Sequence, residues 1–112
     1  MKDHLLYLED ILLAMEIIED FVQGMSFEAF RADIKTSDAV VRRFEIIGEA
    51  SKHVPAEIRE KCPDVPWSEM ARMRDRLIHA YNMVDYELVW RTIKQRIPAV
   101  KQHLRRILDE HR

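Results

Sequence analysis

Residues 3–23, DHLLYLEDILLAMEIIEDFVQ, decide the fold class. Leu5, Leu8, Leu12, Met15, Ile18 and Val22 recur every three or four residues, the period of one face of an α-helix. Leu6, Leu13, Ile17 and Phe21 widen that stripe, so the helix is expected to meet neighbours on two sides. Gly24 is a suitable stop. No stretch of the chain alternates as a strand does, and no repeat or low-complexity linker divides it.

The same period continues outward. Ser26 can cap a short helical turn with Phe27 and Phe30. A second long helix is expected from Thr36 or Ser37, with Asp38 in its first turn and Val40, Val41, Phe44, Ile47 and Ala50 along it. Gly48 inside that helix costs about 1 kcal/mol relative to alanine, so another helix should pass close there. Pro55 and Pro66 each suit a first helical position, predicting a short helix over 56–61 and a longer one from Trp67 to about Tyr81. Residues 82–85 read as a turn in which Asp85 caps the last helix. Val89, Ile93, Ile97, Val100, Leu104 and Ile107 form its stripe, and Pro98 must kink or split it. The expectation is one all-α domain over residues 1–112, an up-and-down helical bundle.

Composition narrows the class. With 47% apolar and 34% charged residues the chain can build a core without disulfides and is too polar for a membrane protein. No run approaches eighteen apolar residues. Asp3, Glu9 and Asp10 stand where a signal peptide would be basic and then apolar, so a cytoplasmic location is expected. The lone Cys62 reads as a passive thiol, and no Cys/His spacing suggests a metal. Charge is uneven: residues 1–33 carry a net −6 and residues 91–112 a net +5. Either the basic end attracts a polyanion such as RNA, or the two ends pack together, or each is simply a solvated face.

The chemistry concentrates in Arg74-Asp75-Arg76-Leu77-Ile78-His79-Ala80-Tyr81. Asp75 and His79, four apart, lie about 40° from each other on a helix, so the carboxylate can orient the imidazole. Arg72 and Arg76 border that face and are candidate RNA-binding residues. Arg74 and His79, five apart, diverge by about 140°. For both to act on one phosphate, the helix must bend near His79 or a second copy of the chain must complete the site. Glu45 and Glu49 share a face of the second long helix, where an exposed acidic patch or salt bridges to Arg42 and Arg43 are the simplest expectations.

Arg74-x4-His79-x-Tyr81 resembles the R-x4-H-x-Y motif of HepT-like proteins, a branch of the HEPN superfamily. Tyr7-Leu8-Glu9-Asp10-Ile11, Phe44-Glu45-Ile46-Ile47-Gly48-Glu49-Ala50, Val84-Asp85-Tyr86-Glu87-Leu88-Val89-Trp90 and Pro98 are similar to that family too, so the likeness spans essentially the whole chain. The resemblance implies a homodimeric bundle with two motif copies facing one cleft. It also implies a metal-independent endoribonuclease without cofactor, acting on tRNA or mRNA, as the toxin of a type VII-like toxin–antitoxin pair. Arg74 would then bind the scissile phosphate and His79 would move protons for the ribose 2′-OH, chemistry suited to an imidazole of pKa about 6.5 and a permanently charged guanidinium. Tyr81 would accept AMP from an MntA-like nucleotidyltransferase antitoxin, placing a bulky anion beside His79. Some HEPN proteins carry Asn where this chain has Asp75, which adds negative charge beside the phosphate. The alternative is a non-catalytic helical partner that regulates a nucleotidyltransferase and binds nucleotide or protein.

Overall fold

The computed structural model describes residues 2–78 and 83–111, and every regular element among them is helical. In chain order these are α1 (Lys2–Phe21), α2 (Phe27–Ala32), α3 (Ile34–His53), α4 (Ala56–Lys61), α5 (Trp67–Ile78), α6 (Tyr86–Gln95) and α7 (Ile97–His111). The long helix α3 lies between α1 and α5, α7 packs on α1 and α6, and α2 bridges α3 and α6.

The core follows the 3.6-residue period with two shifts. On α1 the fully buried positions are Leu8, Ile11, Ala14, Met15 and Ile18, with Val22 buried just past its end, whereas Leu12 is only half-buried. Leu6, Leu13 and Phe21 stay exposed, at 55%, 55% and 40%, and Ile17 is half-buried, so among the described residues the second apolar face expected of α1 is left largely uncovered. The chain leaves α1 through Gly24, whose φ of +77° is a conformation that side-chain-bearing residues rarely adopt.

Helix α3 starts earlier than its hydroxyls suggest. Asp33, rather than Thr36 or Ser37, is the N-cap: its carboxylate accepts from the Thr36 N–H at 3.1 Å and the Thr36 hydroxyl at 2.9 Å. Ser37 is buried and donates to the Ile34 carbonyl instead. Pro55 likewise occupies the N-cap of α4 rather than its first helical position, and α4 spans the expected residues. The link into α5 is fixed by the Trp67 indole N–H, which donates to the Cys62 carbonyl at 3.0 Å. Burial raises the Cys62 thiol above its ordinary value, in keeping with a passive cysteine.

Asp85 caps α6 as expected, accepting from the Leu88 N–H at 3.0 Å. The predicted stripe is buried throughout, and Pro98 splits the element: α6 ends at Gln95 and α7 restarts at Ile97. As the second residue of α7, Pro98 sits where its missing N–H has no helical acceptor anyway. The start of α6 is pinned by aromatics. Phe30, fully buried, lies 5.1 Å from Trp90 and edge-on to Tyr86 at 6.2 Å, and burying it contributes about 2–3 kcal/mol.

Part of the charge at the two ends is paired across the bundle. Lys101 pairs with Glu19, and Arg105 reaches Glu16 at 3.0 Å, so α7 spends part of its positive charge on α1. No helix among the described residues is long and apolar enough to cross a membrane.

Candidate functional site

Arg74 is placed by a glycine. A Cβ at Gly48 would come within 2.1 Å of the Arg74 Cβ and 2.9 Å of the Met70 carbonyl oxygen, so α3 and α5 touch backbone to backbone there. The close approach inferred from Gly48 therefore occurs at the motif arginine itself.

From that seat the Arg74 side chain, 29% exposed, runs along α3 into a line of alternating charge. Its Nε lies 3.2 Å from Glu49 Oε1 and its Nη1 donates to Asp75 Oδ1 at 3.3 Å. Lys52 Nζ donates to the same Asp75 oxygen at 2.7 Å. The Lys52 ammonium, and then Arg74, hold the Asp75 carboxyl below the usual carboxylate value. On the far side, Glu49 Oε2 lies 3.3 Å from His53 Nε2, and the His53 ring stacks on Tyr7 with centroids 5.2 Å apart and planes 19° apart. Glu49 therefore departs from the expected pairing with Arg42 or Arg43. Its partners are one turn along α3 and across on α5, because the Gly48 contact brings Arg74 nearer than sequence distance implies.

Arg74, Glu49, His53 and Tyr7 face a cavity of about 280 Å³, lined also by Asp10 of α1, Arg42 and Glu45 of α3, and Ile78 of α5. The volume suits a phosphate with its adjoining sugar, and an arginine with both carboxylate neighbours is held in one orientation before any ligand arrives.

Arg72 and Arg76 lie elsewhere. At two residues either side of Arg74 they emerge on the opposite face of α5, where they line a second cavity of about 360 Å³ with Arg91 and Arg96 of α6 and its C-cap. Glu69 is the acid on that rim, paired to Arg96 at 2.9 Å. Its floor is apolar, built from Phe44, Ile47, Met70 and Met73. His79 and Tyr81 fall outside the described residues, and so does any contact between Asp75 and His79. Sequence reading missed Tyr7, Lys52 and His53 as site residues: Lys52 bonds Asp75, His53 bonds Glu49 one turn before it, and Tyr7 stacks on His53, an arrangement joined to Arg74 only by the packing of α1, α3 and α5. No group of three or more metal-ligating side chains occurs among the described residues.

The family model described as "Ribonuclease HepT-like" matches residues 11–107. A protein named "Probable ribonuclease HepT" from Thermococcus cleftensis is 52% identical, covering 89% of this chain and 91% of its own. A candidate RNase from Caldanaerobacter subterraneus subsp. tengcongensis is 46% identical over 95% of both chains. One from Methanocaldococcus jannaschii is 44% identical over 97% of this chain and 90% of its own. No solved structure matches the chain. With a family model covering most of its length and relatives of this identity aligned nearly end to end, the chain belongs to the HepT-like ribonuclease family of the HEPN superfamily.

Proposed function

We propose that this protein is an endoribonuclease, the toxin of a toxin–antitoxin pair, and that Arg74 and His79 carry the cleavage. The observation that carries the reading is the Arg74 guanidinium, fixed by Glu49 and Asp75 on the wall of a phosphate-sized cavity in a chain of a ribonuclease family. A forked, permanently charged donor there can neutralise the charge that grows on the phosphoryl oxygens in the transition state. RNA supplies its own nucleophile, the ribose 2′-OH, so the reaction needs a proton acceptor and no metal. His79, five residues beyond Arg74, is the residue assigned to take that proton. Asp75 orients it from one turn before. Arg72 and Arg76, with Arg91, present guanidiniums to the RNA backbone beyond the scissile bond, whether tRNA or mRNA.

A second copy of the chain completes the site. Support comes from the 140° divergence of Arg74 and His79 on an unbent helix, about five residues at 100° each. It comes also from the apolar surface beside the Arg74 cavity. Leu6 and Leu13 flank Asp10 on α1, and Ile78 at 44% exposure lines the cavity on α5. Restraint comes from an MntA-like nucleotidyltransferase that moves AMP from ATP to the Tyr81 hydroxyl. The new Oη–phosphorus bond releases pyrophosphate and leaves an anion two residues from His79.

Purified protein is incubated with total RNA with and without EDTA, and the cleaved ends are sequenced. Cleavage should persist in EDTA and vanish in Arg74→Ala and His79→Ala at unchanged solubility; alanine variants as active as wild type would overturn the assignment. A second reading rests on one observation: Glu49 and Asp75 already neutralise Arg74. On that reading the chain is a non-catalytic partner of the nucleotidyltransferase, and wild-type protein would be modified at Tyr81 yet cut nothing.

A further inference from the structure

We propose that His53 is the proton donor to the leaving O5′ oxygen when this protein cleaves RNA, an inference that rests on the ribonuclease reading above. Cleavage by the 2′-OH forms a 2′-O–P bond and breaks P–O5′. One proton must leave the 2′-OH as another reaches O5′, and one imidazole cannot do both in the same step. If His79 takes the first proton, a second group must give the second.

His53 sits where that group is needed. It lines the same cavity as Arg74, and a single carboxylate joins them, with Glu49 Oε1 3.2 Å from Arg74 Nε and Oε2 3.3 Å from His53 Nε2. An imidazole and the phosphate-binding guanidinium are thus held one carboxylate apart. The ring is fixed in two ways. Tyr7 stacks on its face at 5.2 Å, and Glu49 sets its tautomer. An ionised carboxylate only accepts, so Nε2 carries the hydrogen that faces Glu49. That leaves Nδ1 as the atom at which the ring gains or gives up a proton. The side chain is 53% exposed, open to a substrate in the cavity.

A plain surface pair four residues apart on a helix would have water on its far side. Here the second carboxylate oxygen is committed to α5, and charged or titratable groups from three helices face the ring's cavity: Tyr7 and Asp10 of α1, Arg42, Glu45 and Glu49 of α3, and Arg74 of α5. The step balances without oxidant or co-reactant. The 2′-OH proton goes to His79, the Nδ1 proton of His53 goes to O5′, and the products are a 2′,3′-cyclic phosphate and a 5′-hydroxyl.

The test uses the full chain and an oligodeoxynucleotide carrying one ribonucleotide at a position mapped from the cleaved ends of total RNA. It is made with the ordinary O5′ leaving group or with a bridging 5′-sulfur, which departs as thiolate and needs no proton. Two variants are compared: His53→Gln, which keeps a polar group beside Glu49, and His53→Phe, which keeps the stack on Tyr7. Their melting temperatures show whether the fold is intact. On the oxygen substrate both should lose about 10²- to 10⁴-fold in kcat/KM, and on the sulfur substrate both should stay within about threefold of wild type. An equal loss on the two substrates, or no loss on oxygen, overturns the assignment. If Arg74→Ala and His79→Ala are inactive while His53→Gln cuts normally, His53 alone is wrong and O5′ is protonated by another group. If wild-type protein cuts neither substrate, the ribonuclease reading fails and the proposal with it.

Discussion

At Gly48 the fold and the site share one constraint, because the hydrogen there is what lets α3 and α5 close around Arg74. Gly48→Ala gains helix propensity but drives a methyl into the Arg74 Cβ and the Met70 carbonyl, neither of which is a yielding chain end. We expect a net loss of about 1–3 kcal/mol in urea unfolding, with cleavage falling further than stability because Arg74 is displaced. An unchanged midpoint would mean that the helices are not in backbone contact. Asp75 gives a second expectation. Its folded-state pKa lies below the ordinary 3.8, so its pairing with Lys52 stabilises the fold fully above that value. This contribution is lost as pH falls through the lowered value. The melting-temperature gap between wild type and Asp75→Asn should therefore be constant near neutrality and close below pH 3.8; a gap unchanged into strong acid would contradict the pairing. Residue by residue, the sequence made Arg74 and Asp75 legible because they stand in one short segment. Glu49 looked local, with Arg42 and Arg43 within one helix, yet its partners are set by packing across to α5. His53 stands one turn after Glu49, a spacing the sequence shows, but only the packing of α5 on α3 joins that pair to Arg74.

Elements were more legible than contacts, since periodicity and punctuation act within one segment. Pro98 had to interrupt its helix, and α6 and α7 divide at Arg96. The start of α3 was harder, because Asp33, Thr36 and Ser37 can each cap, and Asp33 prevails with two bonds to Thr36. Asp85 does the same service for α6 immediately after the segment that carries His79 and Tyr81. Asp85→Ala should cost about 1 kcal/mol in global stability. Amide exchange should quicken first at Leu88, the amide that loses its acceptor. A variant with wild-type exchange there would show the cap to be idle. The pairs that tie α7 to α1 are of a different order: Arg105 and Glu16 are both about half exposed, where such pairs contribute less than about 1 kcal/mol and screen with salt. They account for part of the basic charge that the sequence alone left open to RNA. The arginines facing the second cavity, Arg72, Arg76 and Arg91, remain on the open rim.

For the whole molecule the question is which chain supplies which half of the proposed site. A symmetric dimer presents the same patch twice, so two sites form, each drawing on both copies if Arg74 of one faces His79 of the other. Leu6, Leu13 and Ile78 offer the apolar surface such a face would cover, and the sequence hinted at it through the second stripe of α1, which one chain leaves open to water. Leu6→Glu with Leu13→Glu should shift the protein toward monomer in sedimentation, with cleavage lost at concentrations where wild type is active. Mixing gives the sharper test. Arg74→Ala and His79→Ala are each inactive alone, but after subunit exchange half of the dimers pair one of each. If the site is shared, every mixed dimer has one intact site, and activity should recover to about a quarter of wild type. If each chain builds its site alone, every site in the mixture lacks one residue and nothing recovers. The melting temperatures of the two variants, taken beside the mixing experiment, separate recovery of a shared site from recovery of folding. Silence after verified exchange would return both residues to a single chain and require the helix to bend between them.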